Sequence, residues 1–143
     1  MSNAEPMDAR EVNTFLGDEG TGVLALAKDD ESYAIPVSYG YDREDGTFYL
    51  RLAFHDESRK REYIGPSRTV SLVVSEETDE GWRSVIARGR LRETGEAAID
   101  SNIVEAIRRI NIPFFTVFDR PARELDFELF RLAPEDLTGH KQT

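Results

Sequence analysis

The chain has 143 residues, of which 28 are acidic and 18 are basic, so its formal net charge at pH 7 is −10. This length predicts a single domain spanning residues 1–143, and the negative charge argues against nucleic acids and anionic membranes as partners, because both would repel the chain. The absence of cysteine excludes disulfides, thiolate catalysis and cysteine-ligated metals, and two histidines, His55 and His140, leave little for any other metal site.

Hydropathy predicts where in the cell the protein is located, and the composition of the two termini predicts which segments are ordered. No apolar run approaches the ~20 residues that a membrane span requires, and the N-terminus lacks the basic and apolar regions of a signal peptide. We therefore expect a cytoplasmic protein with no membrane partner. Residues 1–7 are expected to be disordered or a cloning remnant, of which Ser-Asn-Ala at 2–4 is typical, and 133–143 are expected to form a polar tail.

The hydrophobic pattern predicts a short helix followed by six strands. Residues 8–16 are predicted to be helical, with Val12, Phe15 and Leu16 facing inward and Gly17 ending the helix. The predicted strands are 22–27, 33–41, 48–54, 68–75, 82–93 and 125–132. Because few crossover helices separate these short strands, the sequence predicts a mainly β protein, a six-stranded antiparallel barrel with a few peripheral helices.

Two features of this pattern carry further predictions. Pro36 lies within the second predicted strand and cannot donate to a ladder, so we expect an edge, a bulge or a ligand beside it. Residues 97–110 have the spacing of a long helix, and the apolar run 114–118 follows it. One small barrel would struggle to bury this run, so we interpret it as part of an interface between subunits.

A positive cluster stands out in residues 51–64, which are predicted to form the end of a strand and then a short helix. Arg59 and Lys60 lie in the first turns of that helix. Since the local charge is opposite to that of the whole chain, the cluster indicates an anion site. The alternative is a solvated helix face that pairs with Glu57 and Glu62, and spacing alone favours this alternative.

Three segments, read together, resemble the FMN-binding split barrels related to pyridoxamine 5'-phosphate oxidase, and the resemblance covers about 22–132. Residues 34–42 are similar to the family strand that lines the flavin. Ser-Arg-Lys at 58–60 resembles the family's phosphate clamp. Residues 83–89 are similar to an Arg-Gln-Val strand of the family, with Ser84 in place of a flavin-contacting Gln. Because the three segments occur in the family's order and at its spacing, they favour the interpretation of Arg59 and Lys60 as an anion site over that of a solvated helix face.

The resemblance implies a split barrel that binds FMN. The residues implied in cofactor binding are Ile35, Pro36, Val37, Ser38, Tyr39, Phe54, His55, Ser58, Arg59, Lys60, Arg83 and Ser84. The clamp offers charge-assisted donors to a phosphate, and the flavin would supply the redox chemistry, so no catalytic residue is assigned. Tyr39 and Tyr41 fit ordinary barrel residues equally well, and His55 fits a strand-end histidine as well as a flavin contact.

One departure from the family pattern restricts the reactions that we expect the protein to catalyse. The oxidase's Arg-x-His near the C-terminus corresponds here to 131–133, Arg-Leu-Ala, which argues against oxidation of pyridoxamine phosphate. Phe54-His55 and 82–85 suit the nitroimidazole-reductase-like branch better. The resemblance thus implies a homodimeric FMN-dependent oxidoreductase acting between a small-molecule electron donor and acceptor. The alternatives are a non-catalytic flavin-binding or sensing protein, and a haem-handling relative that would use His55 or His140 as a ligand.

Overall fold

The computed structural model describes residues 4–54, 68–94 and 126–142, with the side chains at 53, 54, 126 and 127 excepted. The elements in chain order are β1 Glu5–Pro6, α1 Ala9–Leu16, β2 Glu19–Lys28, β3 Glu31–Asp42, β4 Thr47–Phe54, β5 Thr69–Thr78, β6 Gly81–Glu93 and β7 Asp126–Gln142. The described ranges contain no helix with the length and hydropathy needed to cross a membrane. The predicted helix at 97–110 and the apolar run at 114–118 lie outside them.

Strands β2 to β7 close into a ring. Their order is β7-β4-β3-β2-β5-β6, and β6 pairs back with β7. Every neighbouring pair is antiparallel, so hairpins and short returns are sufficient to connect most of them. The short β1 is added beside the end of β7. This architecture confirms the predicted mainly β, six-stranded antiparallel split barrel.

The barrel interior is filled by every second residue of each strand, because side chains on a strand alternate between its two faces. The buried apolar set includes Leu24, Leu26, Ile35, Val37, Phe48, Leu50, Leu52, Leu72, Val74, Val85, Ala87, Leu91 and Leu132. Burying each of the larger side chains stabilises the fold by roughly 1.5–3 kcal/mol. The intervening residues of each strand therefore face outward, where a ligand or a second chain can reach them.

Helix α1 spans Ala9–Leu16, one residue shorter than the predicted 8–16 because Asp8 is its N-cap. Asp8 accepts a hydrogen bond from the Glu11 backbone N–H at 2.8 Å, and the Glu11 carboxylate accepts one from the Asp8 N–H at 3.2 Å, a reciprocal capping box. Val12 and Leu16 are buried in the core, and Gly17 ends the helix with φ of 63°. The predicted inward face of this helix is confirmed.

Two tyrosines of β3 bind α1 to the barrel. The Tyr39 hydroxyl donates to the Leu16 carbonyl at 2.9 Å, and the Tyr41 hydroxyl donates to Asn13 Oδ1 at 2.8 Å. The helix also packs directly on the backbone of β7, since a Cβ added at Gly139 would lie 2.8 Å from the Val12 side chain. These contacts fix α1 against the barrel core.

The two terminal segments differ from the prediction. Residues 133–142 form the second half of β7 and pair with β6, whereas the sequence predicted that the strand would end at 132 and be followed by a polar tail. The apolar alternation stops there because Pro134 and Gly139 occupy positions where the pattern requires large apolar side chains. In the N-terminal segment that was expected to be disordered, Glu5–Pro6 pair with β7 as β1.

Candidate functional site

The barrel opens between β3 and β4. Their pairing runs from Tyr39 opposite Leu50 to Asp42 opposite Thr47. Beyond that point β4 continues to Phe54 along β7, while the earlier half of β3 continues along β2. In the described part of the chain, residues 31–38 of β3 therefore form an edge that faces the end of β4. We call this opening the split.

Pro36 lies on the edge of the split. It is exposed and pairs with Val23 of β2, and within the ranges that the structure describes no strand pairs with it on the other side. Proline lacks the N–H that a second neighbouring strand would require, so it is compatible with this edge position. The sequence predicted an edge, a bulge or a ligand beside Pro36, and the structure confirms the edge.

The five predicted cofactor residues of β3 divide between the two faces of the strand. Ile35, Val37 and Tyr39 are buried in the barrel core, so only their backbones remain available to a ligand outside. Burial raises the pKa of the Tyr39 hydroxyl to about 12, and that hydroxyl is already engaged with α1. Pro36 and Ser38 occupy the alternate, outward positions and offer their side chains.

Ser38 is the unusual member of this set. Its side chain faces outward on β3, yet the residue is only 2% exposed. The buried hydroxyl has no hydrogen-bond partner among the residues that the structure describes. A buried unsatisfied polar group costs roughly 1–3 kcal/mol, and such groups in native proteins call for an explanation such as a ligand or a functional role. The hydroxyl stands at the split, where a bound ligand can satisfy it.

Arg51 adds a positive charge to the opposite wall of the split. Continuing the register of Tyr39 with Leu50 brings Arg51 of β4 to the level of Ser38, and Arg51 is half-buried. Arg51 belongs to the positive cluster at 51–64 but is not one of the predicted cofactor residues. The charge reversal of that stretch is the signal that would have identified it.

The predicted residues of β6 lie elsewhere on the barrel. Ser84 lines an outer cleft of about 340 Å³ with Trp82 and His140. Along the sheet it lies ~14 Å from Ser38, because three strand spacings of about 4.8 Å separate β3 from β6. Within one chain, the structure does not bring Ser84 and Ser38 together.

Arg83 points toward the α1 side of the barrel. Its guanidinium donates to the Trp82 carbonyl at 2.9 Å and forms an ion pair with Glu80 at 3.5 Å. It also lines a cleft of about 490 Å³ with Phe15 and Glu76. Arg83 also lines the cleft of about 340 Å³ beside Ser84, so both predicted residues of β6 border that cleft.

The remaining predicted residues stand at the end of β4 or follow it in the chain. His55, Ser58, Arg59 and Lys60 lie outside the described residues, and only the backbone of Phe54 is described, at the end of β4. The chain leaves β4 beside the split and passes directly into this segment. The described site thus consists of Pro36, Ser38 and the β4 wall.

Comparison with known proteins identifies the family. Residues 8–141 match the sequence model of a pyridoxamine 5'-phosphate oxidase family. A search of curated proteins finds no match.

Solved structures show the same fold. An FAD-binding protein from Mesorhizobium loti has a TM-score of 0.75 at 22% identity, with 100% of this chain and 99% of that chain covered. The FAD binding protein from Mycobacterium smegmatis has a TM-score of 0.65 at 19% identity, with 96% and 98% covered. A candidate 5-nitroimidazole antibiotic resistance protein from Bacteroides thetaiotaomicron has a TM-score of 0.68 at 16% identity, with 99% and 89% covered.

At these identities the likeness to the solved structures concerns the fold, whereas the sequence match covers nearly the whole chain and concerns the family. Both agree with the closed six-stranded ring and with the resemblance in the sequence. This chain therefore belongs to the pyridoxamine 5'-phosphate oxidase family.

Proposed function

We propose that this protein binds FMN at the split and acts as a homodimeric FMN-dependent oxidoreductase. The observation that carries the proposal is the buried Ser38 hydroxyl on the outward face of β3, which has no hydrogen-bond partner among the described residues. Membership of the pyridoxamine 5'-phosphate oxidase family supports it, as does the similarity to two proteins described as FAD-binding.

The residues of the split suit different parts of the cofactor. The Ser38 hydroxyl can donate to or accept from the polar edge of the flavin ring. Pro36 offers an exposed apolar surface, which suits the ring itself. Ser58, Arg59 and Lys60, which follow β4 in the chain, would hold the phosphate by charge-assisted hydrogen bonds. When bound, FMN supplies the redox chemistry, and the chain's part is to bind and orient it.

A second copy of the chain would complete the site. The exposed apolar side chains Val23, Ile86 and Trp82, which are 44%, 42% and 52% exposed, share the outer surface of the sheet with Ser38 and Ser84. Exposed apolar patches of this kind mark interfaces, and two-fold pairing is the commonest assembly of such chains. In a dimer, Ser84 of one copy can approach the split of the other. Light scattering should give the mass of two chains, and a monomer that retains flavin would contradict the proposal.

The phosphate clamp gives the proposal a direct test. FMN and riboflavin should be titrated into wild type, Arg59→Ala and Lys60→Ala at one fixed salt concentration. Each charge-assisted hydrogen bond contributes roughly 1.5–3 kcal/mol, so each variant should bind FMN about tenfold or more weakly. Affinity for riboflavin, which lacks the phosphate, should hardly change.

The matched control is Arg43→Ala. Arg43 is exposed and pairs with Asp18 at 3.6 Å on the surface, so the control removes one positive charge without touching the proposed site. It should bind FMN as wild type does. Equal FMN affinity in all four proteins would return the 58–60 segment to a solvated helix and contradict the proposal.

Oxidoreductase activity requires that the bound flavin exchange electrons. Anaerobic addition of NADH or NADPH to the FMN-loaded protein, followed by a small electron acceptor, should first bleach and then restore the visible flavin absorbance. Two negative results together would favour the alternative, a flavin-binding or sensing protein without catalysis. In the first, neither nucleotide reduces the bound flavin. In the second, flavin reduced with dithionite does not pass its electrons to the acceptor.

A further inference from the structure

Arg51 places a positive charge on the β4 wall of the split. Its neighbours Leu50 and Leu52 are buried in the barrel core, and side chains on a strand alternate between its two faces. The Arg51 side chain therefore faces outward, as that of Ser38 does on β3. In a chain with a net charge of −10, a positive side chain at an opening of the barrel attracts negative charge to that place.

Arg51 is shielded from water more than the arginines on the outer face of β6 are. It is half-buried, whereas Arg88 and Arg90 on that face are exposed. Its register partner on β7 is the apolar Leu129. Because the interaction between two charges grows stronger as the effective dielectric constant falls, the Arg51 guanidinium acts more strongly on a neighbouring charge than an exposed arginine does.

Ser38 and Arg51 face the same opening from its two walls. Continuing the register of Tyr39 with Leu50 brings Arg51 to the level of Ser38. In the proposed FMN site, the polar edge of the flavin ring meets the buried Ser38 hydroxyl, which has no hydrogen-bond partner among the described residues. That edge carries N1 and the oxygen on C2. With this edge at Ser38, the opposite wall brings the positive charge of Arg51 to the same level.

The charge on this edge depends on the redox state of the flavin. A nicotinamide donor that transfers a hydride gives up two electrons and one proton to N5 of the ring and is itself oxidised. The neutral oxidised ring thereby gains one negative charge, which N1 and the C2 oxygen share. A guanidinium forms stronger hydrogen bonds with an ionised acceptor than with a neutral one, so Arg51 would interact more strongly with the reduced ring.

We propose that Arg51 sets the redox potential of the bound flavin by holding the reduced ring more tightly than the oxidised ring. The inference rests on the proposed FMN function and gives Arg51 a role that goes beyond binding the cofactor. A site shifts an equilibrium between two states only by the difference in its affinity for them. Tighter binding of the reduced ring raises the midpoint potential, so the flavin accepts electrons from its donor more readily.

Anaerobic redox titration of the FMN-loaded protein against a reference dye tests the proposal. Arg51→Gln should bind reduced FMN about tenfold or more weakly than wild type, which lowers the midpoint potential by about 30 mV or more for a two-electron couple. Its affinity for oxidised FMN, measured by fluorescence titration, should fall by a smaller factor. Arg51→Lys keeps the charge and should keep a potential closer to that of wild type. A purely structural role would weaken binding of both redox forms equally and leave the potential unchanged.

Arg43→Gln is the matched control, because Arg43 is exposed and pairs with Asp18 away from the split. It removes the same charge and should keep the wild-type potential. An Arg51→Gln protein that retains FMN at the wild-type potential would overturn this inference and leave the proposed flavin function standing. An equal fall in Arg43→Gln would also overturn it, since the effect would then come from net charge. A wild-type protein that retains no FMN would overturn the flavin function and this inference together.

Discussion

Replacing Ser38 by alanine should have opposite effects on the free protein and on cofactor binding. In the free protein the substitution removes a buried hydroxyl that has no partner among the described residues, and such an unsatisfied group costs roughly 1–3 kcal/mol. The residue is 2% exposed, so water does not compensate this cost. We therefore expect the free energy of unfolding of the apo protein to rise by up to that amount.

Cofactor binding should weaken by a related amount. In wild type, FMN would satisfy the Ser38 hydroxyl and so recover the cost of burying it. The Ser38→Ala variant has no such cost to recover, and its affinity for FMN should fall by roughly 1–3 kcal/mol, or about 5- to 150-fold in Kd. Riboflavin, which has the same ring, should lose the same factor, in contrast to the clamp variants.

Urea unfolding of the apo protein and fluorescence titration with FMN measure the two effects. Ser32→Ala is the matched control, because Ser32 is an exposed serine on the same strand, and it should change neither quantity. A Ser38→Ala protein that binds both flavins with wild-type affinity would refute the reasoning. So would an apo protein that becomes less stable, since this would show that the hydroxyl already has a partner.

Three further substitutions test the fold that positions the site. Tyr39→Phe leaves the Leu16 carbonyl unsatisfied and should lower the unfolding free energy at neutral pH by roughly 1–3 kcal/mol in urea titrations. The pKa of Tyr39 is raised to about 12 in the folded protein, above the ordinary tyrosine value of about 10. The stabilising contribution of the protonated hydroxyl should therefore be fully present below about pH 10 and be lost as the pH rises through about 12. Tyr39→Phe should reduce this alkaline loss of stability. Lys141 donates a hydrogen bond to the Glu11 carboxylate and lowers the pKa of that carboxyl, so the pair stabilises the fold above the ordinary glutamate pKa and this stabilisation is lost as the pH falls. Lys141→Met should therefore make the unfolding free energy less dependent on pH in the acid range. An unchanged slope of unfolding free energy against pH would contradict this. Gly22→Ala would place a Cβ 2.7 Å from the Val73 carbonyl oxygen and should lower the melting temperature through an overpacking cost of roughly 1–3 kcal/mol.

Local pattern was sufficient to predict most of the barrel. Period-two alternation located β2 to β6, and the apolar spacing together with the C-terminal glycine located α1. The second half of β7 escaped prediction, because its core position at Gly139 is filled by the side chains of Val12 and Met7 from outside the strand. A strand whose apolar partner is supplied by another element shows no alternation of its own.

The site was predictable only where a local rule applied. The edge at Pro36 follows from its missing N–H, a property of the residue itself. The burial of Ser38 and its distance from Ser84 depend on strand pairing between distant segments, which composition and spacing do not contain. For this reason the sequence grouped Ser38 with Ser84, although the two residues lie apart within one chain.

The most direct test of the central claim is the visible absorption spectrum of the wild-type protein after incubation with FMN and removal of the free cofactor by desalting. We expect a yellow protein that retains a flavin band, with one FMN per chain and a shifted band shape relative to free FMN. A colourless protein under these conditions, or one that retains added haem and no flavin, would contradict it.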